Sequence, residues 1–318
     1  MVDVEGIERA AERIKGHVRH TPVLTVEAGE AGLPVRCVLK LELLQYTGSF
    51  KPRGVFNLLL SRRPETGVVV ASGGNAGLAV AYACRELGLA ATVFVPTSSP
   101  AIKIDRIRQL GARAVVGGDF YAAAYEAALE RVESSGELLV HAYDGEELLA
   151  GQGTLALELS EQSPDLDTVL VAVGGGGLIG GVSSWYAGRT RVVAVEPERA
   201  PTLHAALAAG EPVDVDVDGV AADSLGARRV GQHGFDAARR AQVSSVLVSD
   251  EAILDARRRL WEDVRLVTEA GGATALAAVS SGVYRPAAGE RIGVLVCGGN
   301  TDPADLSPAW SPPVKPMP

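Results

Sequence analysis

The stretch Thr168-Val-Leu-Val-Ala-Val-Gly-Gly-Gly-Gly-Leu-Ile-Gly-Gly-Val182 contains the pattern that decides the fold. Thr168 and the five apolar residues that follow it have the length of a buried strand. The four glycines Gly174 to Gly177 then make a turn, and the residues from Leu178 onward can open a helix. A buried strand, a glycine-rich turn and a helix in this order are typical of the βαβ units that build parallel sheets. The stretch therefore predicts an α/β protein.

The same pattern extends in both directions along the chain. Helical patterns lie between further apolar runs, and one of them, Asn75–Leu87, is followed by Gly88, which is placed to end a helix. We therefore expect doubly wound open sheets. Together with Thr168–Val173, the runs predicted to be buried parallel strands are Val68–Ala71, Ala91–Val95, Val192–Val195 and Ile292–Val296.

The predicted elements fall into two blocks, which indicates two domains. Residues 45–145 are expected to form a small domain. Residues 1–44 are too few to fold alone, so we expect them to pack on residues 146–310 as one large domain. The proline-rich segment 311–318 is predicted to be a disordered tail.

The composition excludes several classes of function. The chain has 318 residues and a formal net charge of −9 with no basic block, which argues against a nucleic-acid partner. Its apolar runs are too short to span a membrane, and its N-terminus does not resemble a signal peptide. Cys37, Cys84 and Cys297 are an odd number without CxxC spacing, so neither a disulfide framework nor a zinc site is expected. These features predict a cytoplasmic protein.

The glycine run Gly174 to Gly177 has more than one interpretation. Backbone amides at a helix N-terminus form an anion site, and glycine lets the backbone approach a phosphate closely. Gly175-x-Gly177-x-x-Gly180 also matches the dinucleotide fingerprint, with Glu196 about 20 residues further on, where a ribose-binding acid belongs. Tight packing alone is a third explanation, so the run by itself does not identify the ligand.

Lys51 lies in Thr47-Gly-Ser-Phe-Lys-Pro-Arg-Gly54, a run that distinguishes it from an ordinary exposed lysine. The residues before it can form a tight turn, and Pro52 is suited to the first position of a helix. A lysine held there has its pKa lowered by the helix dipole and by burial. Such an amine can form a Schiff base with an aldehyde cofactor.

Two further segments follow predicted strands. Ser72-Gly-Gly-Asn75 offers backbone amides for a carboxylate, and the amide of Asn75 can bind a phenolic oxygen, although Asn75 could also be a simple N-cap. Cys297 could be a core residue, or its neutral thiol could face a pyridine nitrogen. Together with Lys51 and the glycine run, these residues indicate pyridoxal phosphate (PLP).

The chain resembles the fold-type II PLP enzymes of the serine/threonine dehydratase group, particularly the catabolic L-serine dehydratases. The resemblance extends from Thr21-Pro22 to Asp302. It implies the tryptophan synthase β-like fold, with two open-sheet domains and the cofactor in the cleft between them. The motifs that carry it are Gly48-Ser-Phe-Lys-Pro-Arg-Gly54, Ser72-Gly-Gly-Asn-Ala-Gly77, Gly174-Gly-Gly-Gly-Leu178, Ala222-Asp-Ser-Leu-Gly226 and Cys297-Gly-Gly-Asn300.

The resemblance also assigns roles by position. Lys51 would form the Schiff base with the cofactor and then remove the α-proton of the substrate. The remaining PLP contacts would be Phe50 and Ala222 on the ring faces, Asn75 at the ring hydroxyl, Gly174, Gly175, Gly176, Gly177 and Leu178 at the phosphate, and Cys297 at the ring nitrogen. The substrate carboxylate would bind the loop of Ser72, Gly73, Gly74, Asn75 and Ala76.

Two departures from related serine racemases sharpen this interpretation. Those enzymes use a serine as second base where this chain has Gly73, so racemisation would lack its acid. They also bind a divalent cation through Glu-x-x-x-Ala-x-Asp, whereas this chain has Glu196, Ala200 and Thr202. The loss of one carboxylate favours a monovalent ion such as K⁺, and a purely structural Glu196 is the alternative. The chain continues only a short way past Asn300, so the resemblance implies no feedback inhibition by isoleucine.

We therefore predict a homodimeric PLP-dependent L-serine/L-threonine ammonia-lyase that releases pyruvate or 2-oxobutanoate plus ammonia. Other PLP-dependent β-elimination, β-replacement or racemase activity on a hydroxy-amino acid is the nearest alternative. A PLP-binding homologue without turnover and a dinucleotide-dependent oxidoreductase are more remote alternatives.

Overall fold

The computed structural model describes residues 1–306 except positions 98, 100 and 120. The predicted tail, 311–318, lies outside the described residues. Within the described part, no helix is both long and apolar enough to cross a membrane.

The larger of two sheets has six strands in the order β1-β2-β10-β7-β8-β9. β1 runs antiparallel to β2, and every other neighbouring pair is parallel. The N-terminal segment thus contributes two strands to the sheet that carries the glycine run. The strands are β1 Val23–Val26, β2 Cys37–Leu41, β7 Thr168–Ala172, β8 Arg191–Pro197, β9 Ser244–Val248 and β10 Ile292–Val296.

The smaller sheet has four parallel strands in the order β5-β4-β3-β6. All four lie inside the predicted small domain, 45–145. They are β3 Val68–Ala71, β4 Ala91–Val95, β5 Arg113–Val116 and β6 Leu138–Val140.

Twelve helices are found among the described residues, and most of them connect the strands of the two sheets. The predicted helix Asn75–Leu87 is confirmed at both ends, and Gly88 adopts the left-handed conformation with a φ of 68°. The helices are α1 Val4–Ile14, α2 Pro52–Arg62, α3 Asn75–Leu87, α4 Ala101–Gln109, α5 Tyr121–Ser135, α6 Glu146–Gln162, α7 Gly177–Tyr186, α8 Thr202–Ala209, α9 Ala222–Leu225, α10 Gln232–Arg240, α11 Asp250–Glu262 and α12 Ala270–Ser280.

A buried group of charges anchors the first turn of α2. The guanidinium of Arg53, which is 1 % exposed, donates hydrogen bonds of 2.8 Å to Glu42 and 3.0 Å to Glu158. Lys40, in the middle of β2, donates to the same Glu158. Each buried charge therefore has an opposite partner, without which its desolvation would be costly. The group ties α2 to β2 and α6, and α2 begins directly after Lys51.

Candidate active site

The amine of Lys51 is held in place at the start of α2. Pro52 is the first residue of that helix, as the sequence predicted, and Lys51 is its N-cap. The Nζ atom donates a 2.8 Å hydrogen bond to the backbone carbonyl of Ala142, and it lies 5.1 Å from the ring centroid of Phe50. The amine therefore has a defined position, which is fixed by the loop after β6.

Burial makes this amine more reactive than an exposed lysine. Desolvation lowers the pKa of Lys51 to about 8, although the nearby Cys297 and Glu269 act in the opposite direction. A substantial fraction of the amine is therefore neutral near physiological pH. Neutral amine is the form that attacks a carbonyl carbon and accepts a proton.

Four helix N-termini meet around one cavity. The N-caps of α2, α3, α7 and α12 are Lys51, Gly74, Gly176 and Glu269, and none of them caps its helix with a side chain. Uncapped helix N-termini present backbone N–H groups and positive dipole ends, so the region favours anions. The residues that line the cavity are Phe50, Lys51, Asn75, Tyr143, Ala172, Gly174, Gly175, Gly176, Gly177, Leu178, Ser224, Leu225, Glu269, Gly271 and Cys297.

The glycine run forms a cradle whose shape depends on the absence of side chains. A Cβ on Gly175 would lie 2.1 Å from Cγ of Tyr143, and one on Gly177 would lie 2.3 Å from the Tyr143 carbonyl oxygen. Gly176 has a φ of 95°, in the left-handed region that favours glycine. The backbone N–H groups of Gly174 to Leu178 donate to no acceptor among the described residues, so they are available to a phosphate.

Asn75 is fixed by two polar neighbours. Its Nδ2 donates to Oε1 of Glu269 at 2.6 Å, and its Oδ1 accepts from Nδ2 of Asn300 at 2.7 Å. The alternative that Asn75 is an N-cap is wrong, because Gly74 occupies that position and Asn75 is the first helical residue. The amide therefore presents a defined donor side to the cavity.

Cys297 ends the apolar run of β10 at the wall of the cavity. Its Sγ donates to the carbonyl of Gly271 at 3.5 Å, and burial raises the pKa of the thiol to about 12. The side chain is therefore a neutral thiol at physiological pH. A ring nitrogen beside it would not face the negative charge that a carboxylate would supply.

Several predicted site residues, Asn75 excepted, lie beside the cavity and are not part of its lining. Ala222 begins α9, from which Ser224 and Leu225 line the cavity. The loop from Ser72 to Ala76 lies at the start of α3, with the Ser72 hydroxyl accepting from the Gly74 N–H at 3.2 Å. The N–H groups of Gly73, Asn75 and Ala76 donate to no acceptor among the described residues, so they remain available to a carboxylate.

The predicted cation ligands lie where β8 leads into α8: Glu196 is near the end of β8, Ala200 is in the connection and Thr202 is the first residue of α8. The Glu196 carboxylate accepts from the N–H groups of Leu203 at 2.7 Å and His204 at 2.8 Å, while the Thr202 hydroxyl donates to a backbone carbonyl. Ala200 is fully buried. These two bonds tie the Glu196 carboxylate to the N-terminus of α8. No group of three or more His, Cys, Asp or Glu side chains suited to a metal occurs in the described parts of the chain.

The sequence-based prediction missed six residues of the cavity lining, namely Tyr143, Ala172, Ser224, Leu225, Glu269 and Gly271. Glu269 had a usable signal, since it precedes Gly271-Gly272 at the start of an alanine-rich helix. A Cβ on Gly272 would lie 2.0 Å from the Gly298 carbonyl oxygen. The glycine pair therefore lets α12 approach the loop that follows β10, and this approach brings Glu269 into the site.

The cavity lies where parallel-sheet enzymes bind ligands, beyond the carboxyl ends of the strands. Asn75 follows β3, the glycine run follows β7, and Cys297 follows β10. A broader surface groove at the amino ends of β7 and β8, near Thr168 and Arg191, contains none of the predicted site residues.

The residues present fit PLP. Unused N–H groups suit its phosphate, the neutral thiol suits an unprotonated ring nitrogen, and the buried Oε2 of Glu269 has no partner among the described residues. With its two open sheets and a reactive lysine, the protein has the features of the α/β enzymes that bind PLP through a lysine. The chain belongs to the family of pyridoxal-phosphate dependent enzymes, whose model matches residues 14–298.

Characterised relatives cover nearly the whole chain. Phenylserine dehydratase of Ralstonia pickettii is 38 % identical over 96 % of this chain and 95 % of that protein. L-threonine ammonia-lyase of Thermotoga maritima is 35 % identical over 95 % of this chain and 76 % of that protein. These relatives support lyase activity, that is, an elimination reaction on hydroxy-amino acids.

Solved structures agree on the fold. Maize serine racemase superposes with a TM-score of 0.91 at 30 % identity, covering 96 % of this chain and 95 % of that one. A threonine deaminase from the organism abbreviated T.th. gives 0.88 at 34 % identity, covering 98 % and 100 %. The predictions of a fold-type II enzyme and of PLP are therefore confirmed. The dinucleotide alternative is therefore wrong. The Glu196 carboxylate, which that alternative assigned to a ribose, accepts a hydrogen bond from an N–H group at the start of α8.

Proposed function

We propose that the protein is an ammonia-lyase that eliminates water from L-serine, L-threonine or both, giving pyruvate or 2-oxobutanoate plus ammonia. The observation that carries the proposal is the buried Lys51 amine at a cavity of uncapped helix N-termini. When bound, PLP supplies an electron sink for the electrons of the broken Cα–H bond.

Lys51 has two tasks in this proposal. It binds the cofactor covalently, and once released it removes the α-proton of the substrate. Its lowered pKa of about 8 suits both tasks, because the neutral amine is the reactive form. The Ala142 carbonyl orients the amine through the bond from Nζ.

Binding and orientation come from the backbone. The N–H groups of Gly174, Gly175, Gly176, Gly177 and Leu178 would hold the cofactor phosphate, and those of the Ser72 to Ala76 loop would hold the substrate carboxylate. Phe50 and Ala222 would cover the ring faces. Ala222 does not itself line the cavity, but it begins α9, whose residues Ser224 and Leu225 do. The Asn75 amide would donate to the ring oxygen.

The neutral thiol of Cys297 favours elimination over slower reactions. Because it lends no negative charge to the ring nitrogen, that nitrogen is not held protonated. Negative charge at Cα is then less stabilised, and rapid departure of the β-hydroxyl is favoured.

Racemisation is the second candidate, because maize serine racemase has the same fold. A side chain at position 73 has no room here, since a Cβ on Gly73 would lie 2.1 Å from Oγ of Ser99. Position 73 therefore supplies no acid to the second face of the substrate. Incubation with L-serine tests this point, and accumulation of D-serine in excess of keto acid would overturn the preference for elimination.

Three further properties belong to the proposal and rest on the family resemblance and composition. The enzyme would be a homodimer, it would be cytoplasmic, and it would bind K⁺ at Glu196, Ala200 and Thr202. Light scattering of the purified protein tests the dimer.

The principal experiment measures keto acid and ammonia after L-serine or L-threonine is added to the PLP-loaded protein. Lys51→Ala should abolish both the visible band of the bound cofactor and product formation, whereas Lys15→Ala, at an exposed lysine on the surface, should change neither. A loaded protein that releases no keto acid from either amino acid would contradict the proposed reaction and leave the family assignment intact.

A further inference from the structure

Glu269 is a buried carboxyl group that the proposed reaction does not use. It is the N-cap of α12 and only 5 % exposed, yet its side chain does not cap that helix. Oε1 accepts a hydrogen bond from Asn75, while Oε2 is buried without a partner among the described residues. Since Glu269 lines the cavity, a bound ligand is the available partner for Oε2.

Arg106 and Asn300, which do not line the cavity, determine which atoms donate and which accept in the hydrogen bonds that lead to Glu269. A guanidinium can only donate, so the bond of 3.1 Å from Arg106 makes Oδ1 of Asn300 an acceptor. The Nδ2 of Asn300 therefore donates, to Oδ1 of Asn75 at 2.7 Å and to the Thr47 carbonyl at 2.6 Å. This leaves Nδ2 of Asn75 on the side of Glu269, whose Oε1 must accept.

It follows that a proton on this carboxyl group resides on Oε2, the oxygen that has no partner among the described residues. Burial raises the pKa of Glu269 to about 7. The hydrogen bond from Asn75 and the charges of Lys103 and Lys51 lower it, and Asp223 raises it. The thiol of Cys297 also lies close enough to interact with the carboxyl group.

We propose that Glu269 holds a proton at Oε2 and shares it with an acceptor atom of bound PLP. The neutral carboxyl group donates a hydrogen bond to that atom. On ionisation the proton leaves to solvent, and the carboxylate then accepts from any proton that the cofactor carries. No bond to carbon changes. The proposal adds a residue to the proposed active site, but it requires only bound cofactor and no turnover.

The test is a pH titration of the visible absorption of the PLP-loaded protein without substrate. The natural protein should show a transition with a midpoint near pH 7, because burial raises the pKa of the carboxyl group to about that value. Glu269→Gln keeps an oxygen for Asn75 and puts a permanent N–H donor in the place of Oε2. Its spectrum should equal the low-pH spectrum of the natural protein at every pH.

Two further variants complete the design. Glu269→Asp retains an ionisable group and should keep the transition with a shifted midpoint. Glu290→Gln removes a carboxylate that bonds Thr168 and Tyr284 away from the cavity, and its titration should match that of the natural protein.

The proposal is overturned if Glu269→Gln titrates with the natural midpoint, or if the natural protein shows no transition between about pH 5 and pH 9. Loss of cofactor binding in both Glu269 variants, with an unchanged circular dichroism spectrum, would likewise overturn it and assign Glu269 a structural role. A natural protein that shows the transition but releases no keto acid would contradict only the proposed reaction.

Discussion

Lys51 and Ala142 are joined by a 2.8 Å hydrogen bond from the amine to the backbone carbonyl. The bond links the N-cap of α2 to the loop after β6, which is an edge strand of the smaller sheet. It lets a buried amine remain close to Phe50 without a carboxylate partner of its own. Because the acceptor is a neutral carbonyl, it does not stabilise the ammonium form as strongly as an ion pair would.

The rate of cofactor loading should follow the ionisation of this amine. Since the pKa of Lys51 is lowered to about 8, the reactive neutral fraction falls as pH drops. Below pH 8 the rate at which the apoprotein gains its visible band with PLP should fall roughly tenfold per pH unit, and above it the rate should level off. Stopped-flow absorption measures the rate. A midpoint near 10, the value of an ordinary lysine, would show that burial does not control the amine.

Gly175→Ala should weaken cofactor binding. The added Cβ would lie 2.1 Å from Cγ of Tyr143, so either the Tyr143 ring must move away or the backbone of the cradle must shift. Overpacking of this kind costs about 1–3 kcal/mol, which corresponds to a Kd for PLP raised about 5- to 150-fold. Equilibrium dialysis measures the change.

Gly117→Ala is the matched control. A Cβ on Gly117 meets nothing within 4 Å and its φ is ordinary, so its Kd should equal that of the natural protein. An unchanged Kd in Gly175→Ala would mean that Tyr143 moves without disturbing the cradle.

The sequence predicted the interior strands better than the edges. Interior strands such as β3, β7 and β10 are fully buried, so they appear as continuous apolar runs. Four of the five strands missed are edge strands of the two sheets, namely β1, β9, β5 and β6. β5 and β9 contain polar residues, β1 is interrupted by Thr25, and β6 has only three residues, so none of them is a long apolar run.

The fifth missed strand, β2, has a different cause. It lies inside the larger sheet, but Lys40 interrupts its apolar run. The structure places this lysine beside Glu158, which is 118 residues distant in the chain. A buried charge is acceptable only with such a partner, and no local pattern indicates which residue the partner is.

The site residues also fall into two groups, those that local sequence motifs reveal and those that only the folded structure brings together. Lys51, Asn75 and the glycine run belong to local motifs at strand ends, so sequence reasoning could find them. The contact between Asn75 and Glu269 joins residues 194 positions apart. It depends on the packing of α12 against the loop after β10, which spacing along the chain does not encode.

Arg53→Met should destabilise the protein strongly. The substitution leaves the buried carboxylates of Glu42 and Glu158 with one cation fewer. Breaking a buried ion pair from one side costs about 3–5 kcal/mol in the free energy of unfolding. Urea denaturation measures the change. Arg62→Met, in an exposed pair with Glu147, should cost at most about 1 kcal/mol. Equal losses in the two variants would mean that burial of the Arg53 group contributes nothing.

The proposed cation site makes a prediction about pH. K⁺ requires the ionised carboxylate, and burial raises the pKa of Glu196 to about 7. Stimulation of activity by K⁺ relative to a bulky organic cation should therefore be present above pH 7 and should be lost as pH falls below it. Steady-state rates at several pH values, with each cation, measure the effect.

Glu196→Gln separates the two roles of this residue. Its side-chain oxygen can still accept from one N–H group at the start of α8, but it has no charge for a cation. If Glu196 binds K⁺, the variant should lose the stimulation at every pH and show the same rate with either cation. Stimulation that survives in Glu196→Gln would locate the cation elsewhere and leave Glu196 with only its bonds to the N–H groups of Leu203 and His204.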